Sequence, residues 1–448
     1  MEIKQEISIV KRIIKLSLPV MMGEIMFSIL SFVDRFYIAK LGINEAAGSS
    51  LSSTIVWVLI ALSTLITGGT IALVSRMVGE KNEKGVTKSA EQSMLLALFL
   101  GLFLGGITYL FSADIIGFFN AEPVVERLGI EYFSILLLGY PLIMIGSTSG
   151  VIFQSSGNTK TPMLIFTGMS IMNIILDPML IFGFDLFSIP AMGVRGAALA
   201  TVISELVACT WIAVLLYRDK KLKLNFLSTF IPDFVMIKRI LKIGMWSGMN
   251  SLSRPLSAIF LQKIITFHGT YFVAAFSFGI QWISIVFIFM QGMRVAISTL
   301  VGQFLGQNNH QGAEDTTKAG LQFGYVFIAI IMAIGMPLSK YAISIFTADS
   351  TVIEAGSWYL IIVLAGMLFE VPMTVYAAGF NGAGDTAPPT IIAFFSNWVG
   401  KIGFAAIATY YFDLGINWVW FAITLSLIIE GIGLSIWFKR GKWKHKTV

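Results

Sequence analysis

Ten ionisable side chains lie inside long apolar segments of the sequence, where burial in a membrane costs roughly 3 kcal/mol or more for each charge. Six are acids and four are bases, and all four bases fall in the second half of the chain. The ten are Glu24, Asp34, Asp177, Glu205, Glu370, Glu430, Arg254, Lys263, Arg294 and Lys401. Because such residues are rarely placed in a membrane without a role, each is a functional candidate.

Asp34 follows the apolar run Ile25–Val33 and therefore lies deep in the first predicted helix. Its carboxylate is a candidate for exchanging a proton or a cation. The alternative is an ion pair with neighbouring Arg35, but adjacent residues of a helix point about 100° apart. We therefore predict a functional role for Asp34.

Asn173 and Asp177 are four residues apart and share one face of a predicted helix. Pro178 follows and lacks a backbone donor, which frees a carbonyl near residue 174. An amide oxygen, a carboxylate and a free carbonyl together suit a small cation or a proton relay. The alternative is a helix kink that the neighbouring polar groups satisfy.

Thr201 and Glu205 lie one turn apart on another predicted helix. Thr201 offers a hydroxyl ligand, or else it bonds to its own backbone. Glu205 is a second candidate acid of a substrate cavity, unless it pairs with a base. For the other acids, Glu24, Glu370 and Glu430, and for Arg254, the sequence leaves functional and structural roles open. For Glu370 and Glu430 we expect structural pairing with Lys263, Arg294 or Lys401.

The elements that position these residues are membrane helices. Of 448 residues, 56% are hydrophobic and 12% are charged, and the mean hydropathy is +0.82, whereas soluble domains average about 25% charged residues. This composition excludes a soluble enzyme, a disordered chain and a fibrous protein. Twelve apolar runs are long enough to cross ~30 Å of hydrocarbon. They are Leu16–Ala39, Ala46–Ser75, Met94–Phe111, Tyr132–Thr159, Thr161–Phe184, Ala197–Tyr217, Ile243–Phe267, Tyr271–Met293, Ala319–Ser339, Ala355–Ala378, Pro388–Tyr411 and Asn417–Phe438.

The charged residues between the runs predict the topology. The net charge is +6, and most of the 31 lysines and arginines lie at alternate ends of the runs. By the positive-inside rule this predicts a multi-pass protein of the cell (inner or plasma) membrane with both termini in the cytoplasm. The same placement argues against a nucleic-acid partner.

Few residues are available for other chemistry. A single cysteine, Cys209, forms no intramolecular disulfide, and three scattered histidines, His268, His310 and His445, do not make a metal cluster. A phosphate-binding loop is also missing, because Lys160 lacks the required glycine spacing. We therefore predict no enzyme activity, no cofactor and transport that is passive or coupled to an ion gradient.

The chain repeats itself at a constant offset of 227 residues. Arg12–Leu16 matches Arg239–Ile243, and Phe153–Pro162 matches Phe380–Pro389, without a gap in between. Six helices in each copy return the chain to its starting side, which predicts two parallel six-helix repeats around a central cavity in an all-α membrane protein. The predicted parts are an N-lobe (1–217), a cytoplasmic linker (218–238), a C-lobe (239–438) and a basic cytoplasmic tail (439–448).

Methionine and aromatic residues are abundant, with 21 methionines and 13% aromatics. Flexible, polarizable side chains tolerate ligands of varied shape, and aromatic rings hold organic cations. Most of these residues are expected to pack or to face lipid. As candidates for a substrate cavity, beside Asp34 and Glu205, we single out Met21, Met22, Phe27, Phe153, Met172 and Met290.

Together these features resemble the multidrug and toxic compound extrusion (MATE) family of cation antiporters. The resemblance rests on the twelve spans, the six-plus-six repeat, the loop Gly79–Gly85 with its copy Gly306–Gly312, and the segments Val33–Arg35, Asn173–Pro178 and Gly193–Thr201. It implies efflux of lipophilic or cationic drugs and dyes in exchange for H⁺ or Na⁺. It also implies that Asp34, Asn173, Asp177 and Thr201 form the ion-coupling site and could hold Na⁺.

The pattern of acids in the first half of the chain most resembles the pattern of the damage-inducible branch of that family. Where another branch has a glutamate in the seventh helix, this chain has Arg254, so a sodium site in the C-lobe is not expected. The alternative function is a flippase for a lipid-linked oligosaccharide, whose pyrophosphate would suit the bases of the second half. A channel or receptor is a third class. We expect a monomer with small-molecule and lipid partners.

Overall fold

The structure is a computed structural model that describes residues 2–185, 188–219, 222 and 224–446, and side chains are described outside residues 2–8 and 226. Lys220, Lys221 and Lys223, which add to the predicted positive charge of the linker, lie outside the described residues. Among the described residues, eleven helical segments are long and apolar enough to cross a membrane. The predicted all-α membrane fold is confirmed.

The helices of the first half are joined by short loops. The longest are Glu2–Ala39 and Pro123–Ser155. The helices Ile43–Leu62 and Thr64–Gly79 together form one apolar segment with a break at Ser63. The bounds are α1 Glu2–Ala39, α2 Ile43–Leu62, α3 Thr64–Gly79, α4 Glu83–Leu110, α5 Ser112–Gly117, α6 Pro123–Ser155, α7 Lys160–Phe182 and α8 Val194–Arg218.

The linker contains one short helix, and the helices of the second half follow it. The predicted seventh span forms as one helix of 35 residues, Phe234–His268, although several lysines and arginines lower its hydropathy. The bounds are α9 Phe226–Thr229, α10 Phe234–His268, α11 Thr270–Gly306, α12 His310–Gly335, α13 Ser339–Ser344, α14 Ser350–Ala383, α15 Ala387–Phe395, α16 Phe404–Ala406 and α17 Ile416–Lys439. Ser396–Gly403 and Ile407–Tyr411 are π-helical turns, and Lys442–His445 is a 3₁₀ turn.

The element bounds follow the sequence repeat. α4 and α12, α5 and α13, α6 and α14, and α7 and α15 each begin at positions related by the 227-residue offset. The caps repeat as well: the side chain of Asn82 accepts a hydrogen bond from the Gly85 amide at 2.9 Å, and Asn309 accepts from Gly312 at 2.8 Å. Such caps satisfy backbone donors that a helix start leaves open. Local sequence therefore sets both copies of the helix start in the same way.

Packing divides the chain into two compact units. We call Pro19–Gly244 the first unit, and Met1–Leu18 together with Met245–Val448 the second unit. The division therefore cuts α1 and α10, at positions that the repeat relates to within one residue. These bounds are set by packing, whereas the predicted bounds 1–217 and 239–438 follow the sequence repeat.

The N-terminal parts of α1 and α10 pack in equivalent ways. Ile13 of α1 is buried against α11 in a cluster that contains Ala296. In the other unit, Ile240 of α10 lies against Gly69 of α3, where a Cβ would overlap the Ile240 backbone. Ile13 and Ile240 are related by the repeat, as are Gly69 and Ala296. The small residues at these two crossings let the helix backbones approach closely.

The linker is docked on the first turns of α4. Buried Glu91 accepts hydrogen bonds through Oε1 from the Asn225 amide at 2.8 Å and from the Ser228 hydroxyl at 2.6 Å. Gln92 accepts a hydrogen bond from the Asp233 amide at 2.8 Å. These contacts fix the polar segment that connects α8 to α10.

Candidate ion-coupling site

Three helices of the first unit bring the predicted ion-coupling residues together. Asp34 comes from α1, Asn173 and Asp177 come from α7, and Thr201 comes from α8. The Asn173 amide nitrogen lies 3.0 Å from Asp34 Oδ1 and 3.2 Å from Asp177 Oδ2. We call Asp34 and Asp177 the carboxyl pair, because both contact the same amide.

The orientation of the Asn173 amide follows from its neighbours. An amide nitrogen donates and an amide oxygen accepts, so the nitrogen belongs beside the carboxylates. The carbonyl oxygen of Asn173 then accepts a hydrogen bond from the Thr201 backbone amide at 3.0 Å. The Thr201 hydroxyl donates to the Ala197 carbonyl at 3.1 Å. Thr201 thus orients the amide through its backbone, and its hydroxyl makes the backbone bond that the sequence left as an alternative.

The site is removed from the surface of the unit. Asn173 and Asp177 are only 1% and 0% exposed, whereas Asp34 and Thr201 are half-buried. Oδ1 of Asp177 makes no hydrogen bond within the described part of the chain. A buried carboxylate oxygen without a donor is costly unless a proton or cation neutralises it. Asp177 therefore has the capacity to bind one.

Two residues near the site were missed in the sequence: one lies near the carboxyl pair, and the other lies near the first. Tyr132 of α6 is 6% exposed, and its phenol lies near the hydroxyl of Ser53 on α2 and close enough to both carboxylates to interact with them electrostatically. The repeat offers a signal for Tyr132, because Tyr359 occupies the matching position of the second half. Ser53 has no such signal, since serines are frequent along α2.

Glu205 lies one turn beyond Thr201 on α8 and is half-buried. Its Oε1 lies over Gly146 of α6, at a distance of 3.0 Å from where a Cβ on that glycine would be. Glu24 on α1 is also half-buried, and its carbonyl accepts a hydrogen bond from Ser28 at 2.9 Å. Neither acid belongs to the group of four around Asn173.

The predicted substrate-cavity residues are placed in three environments. Met290 belongs to the apolar core of the second unit, and Phe153 is 2% exposed inside the first. Met22 and Phe27 are exposed on α1, and the ring of Phe27 lies 6.0 Å from that of Trp57. The two remaining methionines are half-buried; they are Met21 and Met172.

The intramembrane charges of the second half form a separate cluster. Arg254 Nη2 lies 2.8 Å from Oε1 of buried Glu430, so the partner of Glu430 is Arg254 rather than the predicted Lys263, Arg294 or Lys401. Glu370 is 1% exposed, accepts a hydrogen bond from Thr374 at 2.8 Å, and leaves Oε2 without a hydrogen bond in the described structure. The partner of Glu430 is therefore determined by which side chains the folded helices bring together, and not by spacing in the sequence.

Other members of this cluster add positive charge. Lys401, in the π-helical turn after α15, donates a hydrogen bond to Asn397 at 2.6 Å. Arg294 of α11 lies near both glutamates. Three bases thus accompany two acids. By contrast, the position that the repeat relates to Asp34 is Leu261, which is buried in the apolar core, so the carboxyl pair is not duplicated.

Among the described residues, no group of three or more histidine, cysteine, aspartate or glutamate side chains could hold a metal ion. The candidate site around Asn173 accordingly contributes two carboxylates, one amide and one hydroxyl. A resident metal centre would normally need more charged ligands. This set suits a transient monovalent ion or a proton.

Comparisons with known proteins place these features in a family. The MatE family profile matches residues 19–179 and 248–407, once in each half of the chain. The probable multidrug resistance protein NorM of Thermotoga maritima is 27% identical over 446 residues, covering 99% of this chain and 96% of that protein. An FAD transporter of Shewanella oneidensis is 25% identical over 355 residues, covering 78% of this chain and 77% of that protein.

A solved structure has the same fold. It is that of a MOP superfamily transporter from Pyrococcus furiosus, described as having a binding pocket of reverse polarity. The TM-score is 0.90 at 24% sequence identity, and the alignment covers 98% of this chain and 97% of that chain. Because the family and its named relatives are transporters, the chain is not an enzyme. The chain belongs to the MatE family of membrane transporters.

Proposed function

We propose that this transporter exports lipophilic or cationic compounds in exchange for H⁺ or Na⁺ by alternating access, with Asp34, Asn173, Asp177 and Thr201 as the ion-coupling site. The observation that carries the proposal is the carboxyl pair, which meets at one buried amide inside membrane-spanning helices. The name of the Thermotoga maritima relative, a probable multidrug resistance protein, supports the substrate class.

The chemistry of coupling follows from the charge of the pair. Two adjacent carboxylates in a medium of low dielectric constant repel each other, and this repulsion favours uptake of one positive charge. Binding of a proton or cation therefore changes the charge of the site by one. A second cation, such as a protonated drug, then competes with the coupling ion for the same negative charge, which links the two movements. We propose Glu205 as an additional acid on the substrate side.

Of the two ions, the arrangement of Asn173 favours the proton. Its amide nitrogen points at both carboxylates, and its oxygen is engaged by the Thr201 amide. A sodium ion coordinates oxygen atoms, so it would require the Asn173 amide to turn and to give up the contact with Thr201. A proton on one carboxyl group needs no such rotation.

The flippase stays the second candidate function, and the charge cluster of the second half favours it. Arg254, Arg294 and Lys401 outnumber Glu370 and Glu430 by one, so the cluster carries a net positive charge when all five groups are ionised. A pyrophosphate headgroup would bind such a cluster. The carboxyl pair of the first unit would repel it.

Dye efflux from proteoliposomes tests the proposal. Purified protein is reconstituted into vesicles loaded with a lipophilic cationic dye, and an inward H⁺ gradient or an inward Na⁺ gradient is imposed. The variants are Asp34→Asn and Asp177→Asn, which keep side-chain size and remove the charge. Asp114→Asn is the matched control, because Asp114 is an exposed residue at the start of α5.

We expect gradient-driven efflux with the original protein and with Asp114→Asn, and a loss of at least about tenfold with either carboxyl-pair variant, which corresponds to 1.4 kcal/mol. Unchanged gradient-driven efflux in Asp34→Asn would contradict the coupling site. Failure of both gradients, together with translocation of a pyrophosphate-linked lipid, would favour the flippase.

A further inference from the structure

A cavity of about 490 Å³ lies in the first unit, where α1 ends and α8 begins. It is lined by Glu45, Glu131 and Arg195 and by apolar side chains such as Leu41 and Leu128. We call it the Glu45 pocket. Arg195 makes a two-pronged ion pair with Glu131, with Nη2 to Oε1 at 3.0 Å and Nε to Oε2 at 3.2 Å. Glu45 is therefore the carboxylate of the pocket that this arginine does not bind in the structure.

An apolar layer adjoins the Glu45 pocket, because the pocket-lining side chains of Leu41, Leu128 and Ile135 pack against it. Ile38, Leu136, Ala197 and Ala198 are 0–7% exposed and pack around Tyr132. A hydrated sodium ion passes such a layer only if these side chains move apart. A proton passes along hydroxyl groups without that displacement, and the Tyr132 phenol is a hydroxyl group within this layer.

One face of α2 connects the pocket to Tyr132. Glu45, Ser49 and Ser53 follow each other at four-residue intervals, which places them on one side of the helix with a rise of about 6 Å per step. Ser49 is buried and donates to the Ala46 carbonyl at 3.1 Å, and Ser53 donates to the Ser49 carbonyl at 2.8 Å. Each hydroxyl oxygen keeps lone pairs that accept a further proton.

A close helix crossing brings Ser53 to Tyr132. A Cβ on Gly48 of α2 would come within 2.8 Å of the Gly129 amide nitrogen of α6. Ser52 donates a hydrogen bond to the Gly129 carbonyl at 2.8 Å and ties the two helices together. Tyr132 lies one turn beyond Gly129, and its phenol is near the Ser53 hydroxyl and within electrostatic range of both members of the carboxyl pair.

We infer that Glu45, Ser49, Ser53 and Tyr132 form a proton path between the Glu45 pocket and the carboxyl pair. The inference rests on the proposed function and specifies its ion. A step of about 6 Å is longer than a hydrogen bond, so the path requires a single water molecule at each step, together with rotation of the serine hydroxyls away from their backbone acceptors. At each step an oxygen accepts a proton from the pocket side and releases its own toward the pair. The proton ends on a carboxylate oxygen of Asp34, and only O–H bonds form and break.

In this path the four residues act by delivering protons to Asp34, so their loss has a specific signature. The rate of proton delivery falls, while exchange of dye for dye, which moves no net proton, continues. A structural role in packing α2 would instead change both rates. The test therefore measures both in the same proteoliposomes.

The variants are Ser49→Ala and Ser53→Ala, with Ser49→Thr and Ser53→Thr as the variants that keep the hydroxyl. Ser50→Ala is the matched control, because Ser50 is exposed on the next face of α2 and its carbonyl receives the same type of back-bond, from Thr54 at 3.0 Å. Glu45→Gln tests the entrance. Proton-driven dye efflux and dye–dye exchange are recorded for each.

We expect each alanine variant and Glu45→Gln to slow proton-driven efflux at least fivefold, with dye–dye exchange unchanged, and the threonine variants and Ser50→Ala to match the original protein. Unaltered proton-driven efflux in both alanine variants would overturn the path, as would an equal loss of both activities. If only sodium drives efflux, the path is wrong although the proposed antiport stands. If Asp34→Asn keeps full proton-driven efflux, both fail.

Discussion

Asn173 is the central residue of the candidate coupling site. Its amide contacts both members of the carboxyl pair and the Thr201 backbone, so three helices depend on one side chain for their relative position at this point. Hydrogen bonds to charged groups are worth about 1.5–3 kcal/mol each. Removing the amide leaves two carboxyl groups side by side without the donor that separates them.

We expect Asn173→Leu, which keeps the size of the side chain, to reduce gradient-driven efflux at least about tenfold, because 1.4 kcal/mol of lost ion-site stability has that effect. The measurement is the same dye efflux, together with size-exclusion chromatography to establish that the variant is folded. Asn417→Leu, at an exposed position of α17, serves as the control. Full activity of Asn173→Leu would show that the pair functions without the amide.

At the scale of elements, the linker between the halves is held by buried side chains of α4. Glu91 is 6% exposed and accepts two hydrogen bonds from the linker. Lys88 of α4 forms an ion pair with Asp233, which lies just before α10. The described residues of the linker are therefore held against the first unit, although the polar sequence of the linker is typical of a loop.

We expect Glu91→Leu to expose the linker to protease about tenfold faster, because two donors lose their buried acceptor at a cost of at least about 1.4 kcal/mol. Limited proteolysis of the detergent-solubilised protein, with mass spectrometry of cuts within 219–233, measures this. In the control variant Glu354→Leu, at an exposed site of α14, the protease should cut the linker no faster than in the original protein.

The same assay has a defined pH dependence. The hydrogen bond from Lys88 holds the pKa of Asp233 below its usual value of 3.8. A lowered pKa in the folded state stabilises the docked linker above the usual aspartate pKa, and this contribution is lost as pH falls through the lowered value. Cutting rates should therefore show no release of the linker between pH 7 and pH 5. Release between those values would contradict the ion pair.

For the whole molecule, the repeat and the charges predict a definite arrangement across the membrane. An even number of spans returns each half of the chain to the side on which it began, and positive loops stay in the cytoplasm. Residue 84 then lies inside and residue 122 outside. Cys209, the only cysteine of the sequence, is buried, which makes single-cysteine labelling practical.

In a Cys209→Ser background, we expect Glu122→Cys to react with a membrane-impermeant maleimide in intact cells, and Lys84→Cys to react only after permeabilisation, because both positions are exposed on opposite sides of the predicted topology. Labelling is read by gel shift, and the Cys209→Ser protein without a new cysteine is the blank. The reverse pattern would place both termini outside the cytoplasm.

The sequence alone determined the membrane class, the apolar helices and the family resemblance, because hydropathy, span length and a constant repeat are properties of the chain in order. It also predicted which residues meet at the candidate site, since Asn173 and Asp177 share a helix face and Asp34 and Thr201 matched family segments. The break at Ser63 and the π-helical turns after α15 were not predicted. They depend on packing against neighbours rather than on local composition.

Only the tertiary structure decided how distant residues are paired. Arg254 binds Glu430 across 176 positions. Tyr132 of α6 lies near the carboxyl pair and near Ser53 of α2. The rings of His310 and His445, far apart in the sequence, lie 5.2 Å from each other. Such pairs are selected by which helix faces come together, and a single sequence carries no record of distances between helices that are far apart along the chain.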